Sequence, residues 1–359
     1  MNCCINCFLD SEIRSIIKGQ NNIGDCDFCS SVATYVYDTD DSERLLSELI
    51  YGLLSIYSIS DSLPNNFPSG KQDLLRNILH RDWHIFNLEP EKIHELLKAI
   101  CSDKYNDYPE LFNSLVGLQQ ICDKDYLETN SLLKGKSWDN FVKAIKTENR
   151  FHLNYINTNI LGLFVDYAKV PYKAGERFYR ARMSTSPVGF SIDDMGAPPS
   201  RSAKAGRVNS EGISVLYLAD SIETVVYEVR AGRYDYITIG TFELTEDIDV
   251  VSLDSLKTIS PFMRDGDMAQ HAVNLNHLSR LSQEVARPLR RHDSSLDYLP
   301  TQYISDFIKS QPGISGITYG SSMATNGINL AAFAPAQFRC IGVKVLEIID
   351  LQYRWNILT

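Results

Sequence analysis

Val215-Leu216-Tyr217-Leu218-Ala219-Asp220-Ser221-Ile222-Glu223-Thr224-Val225-Val226-Tyr227-Glu228-Val229 changes period in its middle, and that change decides the fold of the C-terminal half. Residues 215–218 form an apolar run of strand length and strand composition. From Ile222 onward the apolar positions are Ile222, Val225, Val226 and Val229, the stripe of an amphipathic helix expected over 221–231. Asp220 is the expected N-cap, with Glu223 completing a capping-box-like start. At 100° per residue, Glu228 falls about 60° from Val225, at the edge of the stripe. A carboxylate there is partly buried, and a partly buried charge is costly unless it is paired or used. One reading pairs Glu228 with Arg230 or Arg233 at the helix rim. The other puts it to work. Spacing alone leaves both open.

Working outward, further strands are expected at 236–244, 248–253, 316–319, 328–333 and 338–345, with a second helix at 300–310. Short strands mixed with helices predict an α+β domain around a mixed sheet. The character of the chain changes near Val170-Pro171-Tyr172-Lys173-Ala174-Gly175, so the domain is taken as 171–359. Three more polar pieces stand out within it: Phe178-Tyr179-Arg180-Ala181-Arg182, the turn Gly206-Arg207-Val208-Asn209, and Gly320-Ser321-Ser322 followed by Gly327-Ile328-Asn329-Leu330. Guanidinium groups pair bidentately with phosphate. Small polar residues at a strand end either floor a pocket or make a turn.

Before this domain lie two regions. Five of the eight cysteines fall within residues 1–35, and Cys4-x2-Cys7, an 18-residue spacer and Cys26-x2-Cys29 have the spacing of a closed zinc site. Four thiolates fill a tetrahedral ion and leave no open position, which predicts a structural Zn2+ in a small zinc ribbon. Cys3 is a substitute for Cys4 in a looser knuckle. Only Arg14 and Lys18 stand against Asp10, Glu12, Asp25 and Asp27, a balance that opposes DNA binding by the ribbon. Residues 36–170 read as an all-α domain. Leu46, Leu49, Ile50, Leu53 and Leu54 keep helical spacing, as do Ile93, Leu96, Leu97 and Ile100, and Ser137 is the expected cap of a helix bearing Phe141 and Ile145. Ser62 to Gly70 is expected to be a loop. Arg76, His80, Arg81 and His84 form the one suspicious group here, against the plainer reading of a solvated helix face.

The chain has 359 residues, 44% hydrophobic and 22% charged, enough for two to three globular domains. A net charge of −10 opposes a large phosphate-binding surface, so nucleic acid is not an expected partner. No apolar run reaches the roughly 18 to 20 residues of a membrane span, and no signal peptide is evident. The expected location is cytoplasmic.

Taken in order, the Tyr-Arg start, the Gly-Arg-x-Asn turn, Leu-Tyr-Leu-Ala, the Glu-Val helix end and the Ser after a late strand resemble the RES domain family over about 175–345. Tyr298-Leu299-Pro300-Thr301-Gln302 resembles one RES subgroup, in which the domain follows a zinc knuckle and a helical, HEPN-like region. The resemblance implies an ADP-ribosyltransferase-like fold and a NAD-consuming toxin. Arg180, Tyr217, Glu228 and Ser321 are then the implied catalytic residues, and Arg207 and Asn209 the substrate-binding ones. NAD is the implied substrate. An inhibitor (antitoxin) protein is the expected partner, self-association is expected, and antiviral defence enters by analogy. Ala181 departs from members with Tyr there, and Ser321 and Ser322 compete for the family's Ser. The HEPN nuclease signature has a longer Arg-to-His gap than Arg76 and His80, so that region is expected to be a scaffold or sensor. Two alternatives are an ADP-ribosyltransferase acting on a protein or nucleic acid, and an inactive RES-fold sensor.

Overall fold

The computed structural model describes residues 1–263, 266–287, 294–352 and 355. The chain divides into two compact units, each assembled from three stretches. One takes in Met1–Trp138, Asn154–Leu161 and Lys257–Ser279; the other takes in Asp139–Leu153, Gly162–Leu256 and Arg280–Thr359.

In the first unit, β1 (Asn2–Cys4), β2 (Ile23–Gly24) and β3 (Thr34–Asp38) make an antiparallel sheet of order β1-β3-β2. The spacer between the cysteine pairs holds α1 (Ser11–Gly19), which starts where the Asp10 carboxylate accepts the Ile13 amide at 3.0 Å. There follow α2 (Leu45–Leu54), α3 (Leu75–Arg81), α4 (Pro90–Ile100), α5 (Ser102–Asp107), α6 (Pro109–Asn113) and α7 (Lys124–Asn130). The two expected apolar stripes point inward: Leu46, Ile50, Leu53, Leu54, Ile93, Leu96, Leu97 and Ile100 are buried, with Leu49 packed against them. This region is not all-α, however. β4 (Tyr57–Ile59), β5 (Asp73–Leu74) and β6 (Leu115–Leu118) pair as β4-β6-β5. Strands of two to four residues are too short to show a period of two, and Asp73-Leu74 becomes a strand only because β6 pairs with it.

Next come α8 (Trp138–Thr147), burying Phe141 and Ile145, and α9 (Thr158–Tyr167). The second unit is built on one sheet. Its strands are β7 (Lys169–Tyr172), β8 (Arg177–Ser184), β9 (Leu216–Ala219), β10 (Tyr236–Leu244), β11 (Ile248–Ser252), β12 (Ile314–Gly320), β13 (Ile328–Ala332) and β14 (Phe338–Glu347). They lie in the order β14-β10-β8-β9-β13-β12-β11-β7. Only β11 and β12 run parallel, so the sheet is mixed. Phe178, Leu216, Leu218, Phe242, Leu244, Leu330 and Phe338 pack in one cluster, while Ala219, Val225, Ile237 and Ile239 pack in another.

Beyond β9 come α10 (Ile222–Glu228), α11 (Met268–Ala286), whose residues up to Ser279 belong to the first unit, and α12 (Leu299–Lys309). α10 is shorter than expected. It ends at Glu228, and Arg230 takes a left-handed φ of 51°. Its N-cap is Ser221, whose hydroxyl accepts the Thr224 amide at 3.1 Å, and not Asp220. The reason is that the Asp220 backbone still belongs to the sheet edge, its amide donating to Ile328 O at 3.0 Å. Among the described residues, no helix is long and apolar enough to cross a membrane.

Leu330 is 1% exposed in the centre of the larger cluster. Leu330→Ala should cost about 2–5 kcal/mol through lost burial and a residual cavity. A thermal melt checks it, and an unchanged midpoint would mean that the sheet's packing is misassigned.

Candidate active site

β8 and β9 are neighbours, yet they pair at one position, Tyr179 with Ala219. Consecutive residues of a strand face opposite sides of a sheet. Arg180 and Ala181 of β8 nonetheless line the same cavity, as do Tyr217 and Leu218 of β9. Among the described residues β8 and β9 make no further pair beyond Tyr179 and Ala219, and the cavity lies against these next residues of both strands. It has a volume of roughly 320 Å³, and Gly206, Arg207, Val225, Glu228, Val229, Tyr319 and Asn329 complete its wall. Small-molecule sites start at about this size.

Glu228 is the last residue of α10 and half-buried. Its Oε1 accepts from Ser321 Oγ at 2.7 Å and from Asn329 Nδ2 at 2.8 Å. Arg233 is turned away, its Nε donating to Ile349 O at 3.0 Å. Ser321 follows β12 in a turn closed by its amide on Gly327 O at 2.7 Å. Its hydroxyl donates to Glu228 and accepts the amides of Met323 and Ala324, both at 3.1 Å. A hydroxyl has one donor and two lone pairs, so Ser321 is fully engaged within the chain. Ser322 is exposed.

Two arginines supply positive charge. Arg180 Nη1 donates to Met195 O at 2.9 Å and to Gly196 O. Burial, reinforced by Arg182, lowers its pKa to about 10. Arg207 Nη1 donates to Val285 O and Ala286 O at 2.9 and 2.8 Å, capping the last carbonyls of α11. Neither guanidinium bonds a described residue through Nε or Nη2.

Tyr217 donates its hydroxyl to Asn209 Oδ1 at 2.6 Å. Asn209 is buried, and its amide nitrogen serves the carbonyls of Lys204, Ser210 and Ile213. From α12, Gln302 Nε2 donates to Gly206 O and Asn209 O at 2.8 and 2.9 Å, and Thr301 Oγ1 donates to Arg207 O at 2.8 Å. Burial holds the phenols of Tyr217 and Tyr319 above the usual tyrosine range.

The structure thus brings Arg180, Arg207, Tyr217 and Glu228 to one cavity. Ser321 stands behind Glu228 and Asn209 behind Tyr217, and neither lines the wall. Asn329 and Tyr319 were not among the residues expected from the sequence. The available signal was Asn329 itself, the one polar side chain in the apolar run Ile328-Asn329-Leu330-Ala331-Ala332.

In the first unit, the sulfurs of Cys4, Cys7, Cys26 and Cys29 all lie within 4.8 Å of one another. Individual separations are 3.4 Å for Cys4–Cys29, 3.4 Å for Cys7–Cys26 and 3.9 Å for Cys4–Cys7. A tetrahedral ion with 2.3 Å metal–sulfur bonds spaces its sulfurs by about 3.8 Å, so these four could hold a metal. The amides of Phe28 and Cys29 point at Cys26 Sγ at 3.4 and 3.5 Å. Cys3, next to Cys4 on β1, stays outside the group because successive strand residues face opposite ways. Of the basic group in 76–84, Arg81 is engaged by Asp73 at 2.7 Å and Asp82 at 2.8 Å. Arg76 Nε lies 3.8 Å from Glu91, and His80 and His84 are exposed.

Residues 177–356, half of the chain, match the family described as RES domain. The chain belongs to the RES domain family. Among solved structures, it is similar to one described as the crystal structure of the M. tuberculosis MbcT-MbcA toxin-antitoxin complex. Identity is 14%, the match covers 52% of this chain and 92% of that one, and the TM-score is 0.30, too distant a likeness to bear on activity. No curated protein matches.

A Cβ on Gly206 would stand 2.6 Å from both Asn209 Oδ1 and Tyr217 Oη. Gly206→Ala should therefore break that hydrogen bond and lower stability by about 1–3 kcal/mol. A melting temperature equal to that of the original chain would show the contact to be dispensable.

Proposed function

We propose that this chain cleaves the bond between nicotinamide and ribose C1′ in NAD. The observation that carries the reading is a carboxylate anchored through one oxygen on the wall of a cavity that also holds two arginines. NAD presents a pyrophosphate, two riboses and a cationic ring. The unbonded nitrogens of Arg180 and Arg207 suit the pyrophosphate oxygens. Tyr217 suits the nicotinamide or its ribose, since its hydroxyl is anchored at Asn209 and leaves the ring as its contact surface.

As the glycosidic bond breaks, its electron pair leaves on the nicotinamide nitrogen, which becomes neutral, and positive charge grows on the ribose. A fixed carboxylate stabilises such an oxocarbenium-like state within a partly enclosed site. Glu228 takes that role. Ser321 serves it by orientation and not by touching substrate, because its bonding capacity is spent. An acceptor oxygen then attacks C1′ and gives up its proton. Water makes the reaction a glycohydrolysis, inorganic phosphate a phosphorolysis, and a macromolecule an ADP-ribosylation.

The same reading makes residues 171–359 an ADP-ribosyltransferase-like RES domain of a toxin or defence effector restrained by an inhibitor protein. Residues 1–35 are a zinc ribbon and 36–170 a HEPN-like sensor. The four cysteines would hold a Zn2+ whose part is structural, since four thiolates complete its coordination.

Glu228→Gln keeps size and shape and removes the charge. It should lower NAD turnover by at least about 100-fold, as loss of a single electrostatic stabiliser does, with the melting temperature unchanged. Mass analysis of products with and without phosphate names the acceptor, and turnover by Glu228→Gln at the original rate would refute the mechanism. For the ribbon, the purified chain should carry zinc at about one ion per chain. Chelation, or Cys26→Ser, should remove it and lower the melting temperature of the first unit. A chain that contains no zinc and melts alike with or without chelator refutes the site.

A further inference from the structure

Asn329 is 7% exposed as the second residue of β13, between Ala219 of β9 and Tyr319 of β12. Its strand neighbours Leu330 and Ala332 serve the core. Nothing in the packing of an apolar strand calls for an amide here, and a buried amide is costly unless it is bonded. Its Nδ2 is committed to Glu228, at 2.8 Å from Oε1, the same oxygen that Ser321 binds at 2.7 Å. An ionised carboxylate offers about two acceptor positions per oxygen. Oε1 therefore has both of its positions filled, while Oε2 bonds none of the described residues and belongs to a side chain on the cavity wall.

One donor would leave the carboxylate free to swing about its last torsion. Two donors arriving on one oxygen from different places, β13 and the turn after β12, fix its plane. We propose that Asn329 is a positioning residue: with Ser321 it clamps Oε1 of Glu228 and leaves Oε2 as the oxygen that meets the substrate. This deepens the NAD reading and rests on it for its catalytic consequence, but the clamp can be tested without NAD.

The test uses the full chain labelled with 13C-glutamate. The infrared difference between the original chain and Glu228→Gln isolates the Glu228 carboxylate band. The same difference is then recorded in the near-isosteric Asn329→Leu and Asn329→Asp backgrounds, each checked for folding by thermal melt. The band should move in both, because a carboxylate that loses a donor changes its stretching frequency. In parallel, Asn329→Leu should lower kcat for NAD by about 100-fold, the scale of misplacing a catalytic group by an ångström. KM should change by less than about 3-fold, since an interaction that orients a transition-state group acts on kcat. Ser321→Ala and Asn329→Leu should combine to less than the product of their separate effects, as residues sharing one acceptor do.

A Glu228 band that stays in place in folded variants overturns the clamp. Turnover at the original kcat overturns its catalytic role. If the band moves while the original chain leaves NAD intact, the clamp stands and the choice of NAD falls.

Discussion

The eight-stranded sheet is continuous through one backbone pair, Tyr179 with Ala219, and the site depends on that constraint. On one side lie β8, β10 and β14, and on the other β9, β13, β12, β11 and β7. Full pairing of β8 with β9 would seal the sheet between them. Pairing at a single position leaves the two halves joined and the next residues splayed. The cost is unpaired strand backbone along the gap, which must find other partners. The loop between the two strands braces the Arg180 side chain, whose Nη1 donates to the Met195 and Gly196 carbonyls.

Electrostatics follow from this geometry. Arg180 is desolvated beside Arg182, and burial first and that like charge second lower its pKa. Arg182 has its own partners, the Asp194 carbonyl and the Phe190 ring at 4.0 Å. Among the described residues Glu228 is the one carboxylate on the cavity wall, and it is turned to Ser321 and Asn329 rather than to either arginine. A cavity in which cation and anion are held apart by separate anchors differs from a collapsed ion pair.

How far the sequence could be read follows from how local each signal was. The change of period after Ala219 was local, and β9 and α10 fall where it placed them. The helix end was not, because Arg230 enters the left-handed region without a glycine to announce it. β8 was missed since Arg177, Arg180 and Arg182 interrupt its apolar alternation, and its strand character comes from pairing with β10 along its whole length. α11 was missed for a related reason. Its buried face includes His271, Asn274 and Ser282 beside Leu278, Leu281 and Val285, so a polar core hides the helical stripe. Asn274 makes the point: it accepts the Leu132 amide at 2.7 Å and donates to Asn130 O at 2.8 Å, a tertiary role that no sequence period reveals.

The site residues divide along the same line. Arg180, Tyr217 and Glu228 were singled out by the ordered resemblance to the RES family and not by spacing, which left Glu228 open, and the three line one cavity. The residues that orient them were harder to read, because orientation is a property of contacts. Asn209 looked like a group that would face a ligand, yet its amide and carbonyl are consumed in tying a turn to Tyr217. Ser321 was read as a pocket-floor residue that the resemblance makes catalytic, yet one donor and two lone pairs are matched by three partners of the chain itself. Counted against capacity, both side chains are committed within the chain. A polar side chain with nothing left to offer cannot contact a substrate without first breaking what holds it. What it contributes is the direction in which its neighbour points.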